Sequence, residues 1–480
     1  ALAIASCALA AHDAGAAGAR VELERLPIDG PRGYSVALGD VDKDDDPDFA
    51  SCWFGLTRVH VLEGAGEFSP WVADDAGHFC DDTALADLDG DGNLDRLIAA
   101  GANPEHDGVF IVSEGRGDGT FDELARYPTA STWDMDVGDV DGDDDVDAVL
   151  TGSEPNAIVV FEGLGNGSFE SGVEYEIAND PTSVVVADFD GDGVDDVVAG
   201  AFDSSTLWRL RGLEESLPEA LTPQILPRRA GDLATADPVG GPELDVSMAS
   251  DRAGGVTVLE GDGELGFTPR TNLATDRRTQ TSALTAGDLN GDGREDIVAG
   301  YAWSVFTYFA RPGDRFTRPL IYPAGDINRN GSFVPPDTLA IANLNADATA
   351  DLFMAAESYE ALVQRRHRTR CQGRLADVVG SADDEFFFIR TRYPVVTAAG
   401  GGQDTGTSSA HSDVICLGAG PDFHSGHPGD DRIFGGPGAD QIRGNGGDDR
   451  LVGGPGADLC VGGTGQGDVA VGCERTKSVP

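Results

Sequence analysis

Asp188-Phe-Asp-Gly-Asp-Gly-Val-Asp-Asp196 carries acids at its first, third, fifth and ninth positions, and β-branched runs flank it on both sides. The same spacing returns as Asp40-Val-Asp-Lys-Asp-Asp-Asp-Pro-Asp48, Asp87-Leu-Asp-Gly-Asp-Gly-Asn-Leu-Asp95, Asp139-Val-Asp-Gly-Asp-Asp-Asp-Val-Asp147 and Asp288-Leu-Asn-Gly-Asp-Gly-Arg-Glu-Asp296. Two weaker copies complete the series. Asn343 to Asp351 keeps the spacing with fewer charges, and Asp237 to Asp245 keeps only its two ends. The copies begin at 40, 87, 139, 188, 237, 288 and 343, a period near 50 residues. Short strands repeating at that period mean a propeller or a solenoid. A second punctuation mark accompanies the first. Glu114-Gly-Arg-Gly-Asp-Gly-Thr-Phe121, Phe161-Glu-Gly-Leu-Gly-Asn-Gly-Ser-Phe169 and Leu259-Glu-Gly-Asp-Gly-Glu-Leu-Gly-Phe267 read as hairpin turns, with Phe restarting the strand. Each repeat is therefore expected to run strand, acidic loop, strand, Gly turn, strand and a fourth strand. Seven such repeats make a seven-bladed β-propeller.

Clustered carboxylates on a tight loop suit Ca²⁺, which takes six to eight oxygens without demanding rigid geometry; Mg²⁺ dehydrates reluctantly and rarely uses an all-protein cage. The expected ligands are Asp40, Asp42, Asp44 and Asp48; Asp87, Asp89, Asp91 and Asp95; Asp139, Asp141, Asp143 and Asp147; Asp188, Asp190, Asp192 and Asp196; and Asp288, Asn290, Asp292 and Asp296. Glycines let these loops curl, and Asp45 and Asp144 stand in for Gly at left-handed positions. An EF-hand needs a bidentate Glu at position 12, where these loops have Ser51, Ile98, Leu150, Ala199 and Ala299. The copy at Asp237 has Val239 and Gly241 in ligand positions and is expected to hold no ion.

These loops and turns resemble the FG-GAP/VCBS repeats of integrin-α-like propellers, and the resemblance covers residues 20–363. It implies that the backbone carbonyl at position 7 also ligates (Asp46, Asn93, Asp145, Val194 and Arg294). The lone strand around Arg20–Pro27 is expected to complete the final blade and hide both sheet edges. A basic run, Gln364-Arg-Arg-His-Arg-Thr-Arg370, then reads as the core of a linker over 364–374.

Beyond it the period shortens to nine. Gly426 to Phe434, Gly435 to Arg443, Gly444 to Val452 and Gly453 to Val461 are consecutive nonapeptides, preceded in register by Leu417 to Ser425. Their sixth-position acids are Asp422, Asp431, Asp440, Asp449 and Asp458. The pattern is similar to the Gly-Gly-x-Gly-x-Asp-x-U-x repeat of RTX (haemolysin-type) calcium β-rolls. That resemblance implies a short C-terminal parallel β-roll over 375–475, two repeats to a coil. It places Ca²⁺ between turns, with Asp440 and Asp458 stacked on one side and Asp431 and Asp449 on the other. Ile433, Ile442 and Leu451 fill the inward position, where Leu417–Ser425 has His424 and reads as an imperfect cap; Asp383-Asp384 and Gly400–Asp404 read as further degraded copies. So little apolar surface couples folding to ion binding.

Composition bounds the function. A net charge of −51 repels phosphate backbones and anionic lipid, which excludes nucleic-acid and membrane-surface binding. Asp supplies most of the 84 acids, and the chain is 40% hydrophobic, enough for a packed core. Residues 1–19 look like the remainder of a secretory signal, cleaved at Ala8–Ala10 or Ala17–Ala19; alternatively Ile4-Ala5-Ser6-Cys7 is a lipobox with Cys7 as a lipid anchor. The other six cysteines form no CxxC and suit three disulfides in an oxidising compartment. The expected pairs are Cys52 with Cys80 inside the first blade, Cys371 with Cys416, and Cys460 with Cys473. Arg116-Gly117-Asp118 is explained by the turn it lies in, and the five Trp residues are expected in blade cores. No HExxH, GxSxG, Walker or dinucleotide motif is present, and no carboxylate pair stands out as a glycosidase pair. The reading is a secreted, non-enzymatic calcium-binding protein that binds an extracellular protein or glycan, with a lectin-like propeller as the alternative and a polysaccharide-acting hydrolase or lyase behind it.

Overall fold

A computed structural model of the chain describes residues 21–28, 35–44, 46–53, 56–61, 72–75, 79–101, 107–129, 131–153, 155–179, 181–201, 204–238, 243–249, 255–273, 281–301, 304–313, 315–323, 338–342, 350–355, 359–366, 369–382, 384–389, 391 and 393–478. The expectations for residues 1–19, Cys7, Asp45, Trp71, Trp303 and the interior of the Asn343 loop fall outside these residues. Every described element is a strand.

The acidic loops divide the chain as their spacing requires. Each loop ends a first strand, and its ninth residue opens a second: Asp48–Trp53, Asp95–Gly101, Asp147–Ser153, Asp196–Gly200, Asp245–Ala249, Asp296–Tyr301 and Asp351–Ala355. The second and third strands meet through short connections, and the Gly turns join the third strand to the fourth. Gly108–Gly115, for instance, passes through Arg116–Thr120 into Phe121–Thr129. The Gly turn thus sits one connection later than the sequence reading put it. The second and third strands pair antiparallel, apolar run against apolar run, as in Ala148↔Phe161 to Gly152↔Ala157.

The first strands, Ser35–Gly39, Phe79–Ala86, Ser131–Gly138, Ser183–Ala187, Leu233–Ala236, Thr281–Gly287 and Thr338–Ala342, pack each against the next, and the last returns to the first. That closed ring is a seven-bladed β-propeller. Val21–Ile28 completes the seventh blade by pairing antiparallel with Tyr359–Arg366, from Val21↔Arg366 to Ile28↔Tyr359. Gln364–Arg366, read from the sequence as the start of a linker, are therefore ladder residues; the extended strand covers an edge that would otherwise stay open. Between blades the core is aromatic and aliphatic. Phe110 meets Phe161 at 4.8 Å and Phe169 at 5.2 Å between ring centroids, joining blades 2 and 3.

The C-terminal part is a parallel β-solenoid of two facing ladders. It does not hang from a linker. The fourth strand of blade 6, Leu320–Pro323, pairs in parallel with Val378–Val379, so one ladder of the roll extends that blade into a ten-stranded sheet. Val378, Phe387, Ile389 and Val395 share a core with Tyr301, Phe306 and Ile321 of blade 6. The roll begins ahead of its regular nonapeptides, with strands at Phe386–Phe388, Val396–Ala398 and Thr405–Thr407, inside the span 375–475 expected of it. His424 consequently lies inside the roll and not at a cap; it is fully buried, with Nε2 2.7 Å from the Ser408 hydroxyl.

Three disulfides join Cys52 to Cys80, Cys371 to Cys416 and Cys460 to Cys473. Cys52 lies in the second strand of blade 1 and Cys80 in the first strand of blade 2, so this bridge links two blades and not two strands of one.

Candidate metal centres

The acidic loops fold on their own carboxylates. The first Asp accepts backbone N–H groups from within its loop: Gly191 and Gly193 donate to Asp188 at 2.7 and 3.0 Å, and Gly90 and Gly92 donate to Asp87 at 3.0 Å each. Positive φ at positions 4 and 6 makes this possible, including +65° at Lys43 and +68° at Asp144. The ninth Asp is a clamp. Asp147 accepts from Val140 N–H at 2.8 Å and from Gly163 N–H at 2.7 Å, tying its loop to the end of the third strand. Asp95 and Asp196 do the same through Leu88 with Gly115 and Phe189 with Gly212. Neighbouring blades lock the loops further, since Gly119 and Gly167 N–H donate to the carbonyls of Val41 and Leu88 one blade back.

These constraints bring positions 1, 3 and 9 together. In Asp40/Asp42/Asp48, Asp87/Asp89/Asp95, Asp139/Asp141/Asp147 and Asp188/Asp190/Asp196, one oxygen from each residue lies within 4.8 Å of the others. Position 5 stands apart from these groups: Asp44, Asp91, Asp143 and Asp192 each accept the N–H two residues on. In the loop at Asp288 the Asn290 amide donates to both oxygens of Asp296, at 3.2 and 3.0 Å. Asp245 keeps its clamp on Gly261 N–H, whereas positions 239–242 of that loop lie outside the described residues.

The donor set fits calcium on two observations. Asp42, Asp141 and Asp190 each hold Oδ1 buried without a hydrogen-bond partner. An unpaired buried carboxylate oxygen is costly, and a cation removes the cost. Burial, reinforced by the neighbouring acids, also pushes Asp147 up to about 8, Asp196 to about 7 and Asp95 to about 6. These three carboxyls therefore resist ionisation, and positive charge beside them would favour it.

The roll builds a second kind of site. Each turn acid offers Oδ1 to the backbone N–H of the acid one coil earlier. Asp404, Asp422 and Asp440 N–H donate to Asp422, Asp440 and Asp458 at 2.8, 2.9 and 3.0 Å. On the opposite side Asp413, Asp431 and Asp449 N–H donate to Asp431, Asp449 and Asp468 at 2.9 Å each. Oδ2 is left buried and unpartnered on Asp404, Asp422, Asp431, Asp440, Asp449, Asp458 and Asp468. The structure thus places Asp431, Asp440, Asp449 and Asp458 in two stacked columns. It adds Asp413 and Asp468, which the sequence reading did not name, and Asp404, the acid of the degraded copy Gly400–Asp404. Asp404 and Asp413 continue the nine-residue step backwards from Asp422, and that register was the available signal.

At the propeller axis lies a cavity of about 280 Å³ lined by all seven first strands, including Asp81, Asp82, Asp134 and Asp232. Acids of the first strands have structural work: Asp82 and Asp134, which line the cavity, accept from Met135 and Val184 N–H at 2.8 Å each, and Asp136 beside it accepts from Val186 at 2.7 Å, each one blade on. Burial pushes Asp136 and Asp232 up to about 7 and Asp81 to about 6. Trp133 lines the same cavity and is 52% exposed, contrary to the core role expected of it; Trp208 is buried. Arg116 pairs with Asp122 across the exposed Gly turn.

Residues 139–199 and 243–299 match the FG-GAP-like repeat, and residues 425–465 match four copies of the RTX calcium-binding nonapeptide repeat, in that order along the chain. No curated protein matches the sequence. Among solved structures, a chain in the crystal structure of BBS1N in complex with ARL6DN, soaked with lead, superposes with a TM-score of 0.50 at 11% identity, over 73% of this chain and 98% of that one. The mercury-soaked crystal of the same complex gives 0.50 at 12%, over 73% and 97%. A lectin of Agrocybe aegerita, described for specific recognition of non-reducing terminal N-acetylglucosamine, gives 0.44 at 16%, over 71% and 86%.

Proposed function

We propose that this chain is an exported, non-enzymatic binding or adhesion module whose propeller loops and roll are held by structural Ca²⁺. The observation that carries the reading is the recurrence of one arrangement: buried, unpartnered carboxylate oxygens in acidic loops on successive blades and again along the roll. Asp40, Asp42 and Asp48, with their counterparts in blades 2 to 4, would hold the propeller ions, the position-5 acids closing on them from outside. The stacked Oδ2 atoms would hold those of the roll. All donors are oxygen, which suits a hard cation. Three disulfides and RTX repeats support an oxidising, calcium-rich compartment. The ligand is an extracellular protein or glycan. A sugar-binding propeller would place aromatics on successive blades around a shared cleft; at the axis Trp133 is the aromatic that lines the cavity.

The test is a glycan array and an extracellular-protein pull-down, each run in millimolar Ca²⁺ and again in EGTA. A ligand retained only with Ca²⁺ supports the proposal. Turnover of an arrayed polysaccharide would replace it with an enzymatic function.

A further inference from the structure

The clamp on the ninth Asp fixes which residues are equivalent from blade to blade. Its Oδ1 accepts from Gly115, Gly163, Gly212 and Gly261 in blades 2 to 5. The residue just before that glycine is Glu114, Glu162, Arg211 and Glu260. Blade 4 therefore presents a cation where its neighbours present an acid. Arg211 uses it on the loop: Nε lies 3.1 Å from Oδ2 of Asp190, the position-3 acid, which is 10% exposed. The other oxygen, Asp190 Oδ1, is buried without a partner. In blade 3 the corresponding Asp141 feels the negative charge of Glu162 instead.

We infer that Arg211 is a built-in competitor for Ca²⁺ at the blade-4 loop, so that loop 188–196 fills at higher calcium than loop 139–147. This rests on the calcium reading of the acidic loops. An ion at Asp190 either displaces the guanidinium, losing the ion pair, or leaves it in place and suffers cation–cation repulsion. Arginine does not deprotonate, so pH does not relieve the conflict. In blade 3 the Glu162 charge works in the opposite sense and strengthens the site. Coulomb energies of a divalent ion with charges at these separations, in a water-like dielectric, amount to roughly tenfold or more in affinity. The protein would then hold most of its ring at low calcium and stiffen blade 4 only when calcium rises.

The experiment is hydrogen exchange by mass spectrometry on the full chain across a Ca²⁺ titration. The N–H groups that donate to Asp139 and Asp188 report each loop in the same molecule. The expected result is protection of loop 139–147 at lower calcium than loop 188–196. Arg211→Gln should move the second midpoint down roughly five- to tenfold and leave the first in place; Arg211→Lys, which keeps the charge, should hold it near wild type. Coincident midpoints in the wild type, or an unmoved midpoint in Arg211→Gln, would overturn the inference. Protection of neither loop would instead overturn the calcium reading itself. The wild-type comparison stands even where a variant folds poorly.

Discussion

Asp147 spends both of its oxygens on backbone N–H groups, while Asp141, six residues earlier in the same loop, keeps one oxygen buried and unpaired. Two acids of one motif thus divide the work. Asp147 shapes the loop as well as facing the proposed ion, while Asp141 keeps an oxygen for the ion alone. Sequence spacing shows both but not which does what, because the clamping donors come from the third strand, 16 residues away at Gly163. The same division applies at the axis, where Asp136 and Asp232 accept N–H bonds yet sit with carboxyls raised to about 7. The sign of their effect follows. With folded values above the unfolded carboxylate value near 4, their contribution to stability is fully present below about pH 4 and is lost as pH rises through about 7. In calcium-free protein, Asp136→Asn loses one of the two acceptors for Val137 and Val186 N–H at any pH but also removes the titrating charge, so it should be less destabilising at pH 8 than at pH 4. Urea melts at the two pH values decide this, and an equal effect at both would show that Asp136 acts through packing and hydrogen bonding alone.

The acidic loops of blades 1 and 2 each belong to two blades, since the carbonyls of Val41 and Leu88 accept N–H groups from the Gly turn of the next. Loss of an ion should loosen that neighbour too. Calcium counting by atomic emission separates the filled loops from the decayed one. Asp188→Ala with Asp190→Ala should lose one ion per chain, and Asp237→Ala should lose none; equal losses would mean the spacing was misread. The Cys52–Cys80 bridge works at the same scale. Because it ties blade 1 to blade 2, Cys52→Ala with Cys80→Ala should destabilise the ring by roughly 2–4 kcal/mol, read as a lower urea midpoint with an unchanged calcium count. The periodicity already places Cys80 in the strand that enters the second loop, and that strand belongs to blade 2 with the loop it enters, one blade on from Cys52. The ring, the closing strand and the roll's nonapeptides were legible because each repeats a local pattern. The upstream coils were legible only as degraded copies such as Gly400–Asp404, because Val396–Ala398 lacks the glycine signature and its Val396 and Ala398 pack with Val305, Leu320 and Tyr322 of blade 6.

The molecule as a whole is an acidic ring with an acidic solenoid fused to one blade, carrying a net charge of −51. Without cations the loops and columns of carboxylates repel one another. With them, each independent site adds about 2.7 kcal/mol at a ligand concentration 100 times its Kd. Because the roll extends blade 6, its collapse should expose the blade-6 core at Tyr301, Phe306 and Ile321 and lower the propeller's stability with it. The most direct test is the melting temperature of the full chain in millimolar Ca²⁺ and after verified removal of metal with EGTA. The structure predicts a large fall on removal and full recovery when Ca²⁺, but not Mg²⁺, is restored. An unchanged melt in metal-free protein would contradict calcium as the ion that holds this fold together.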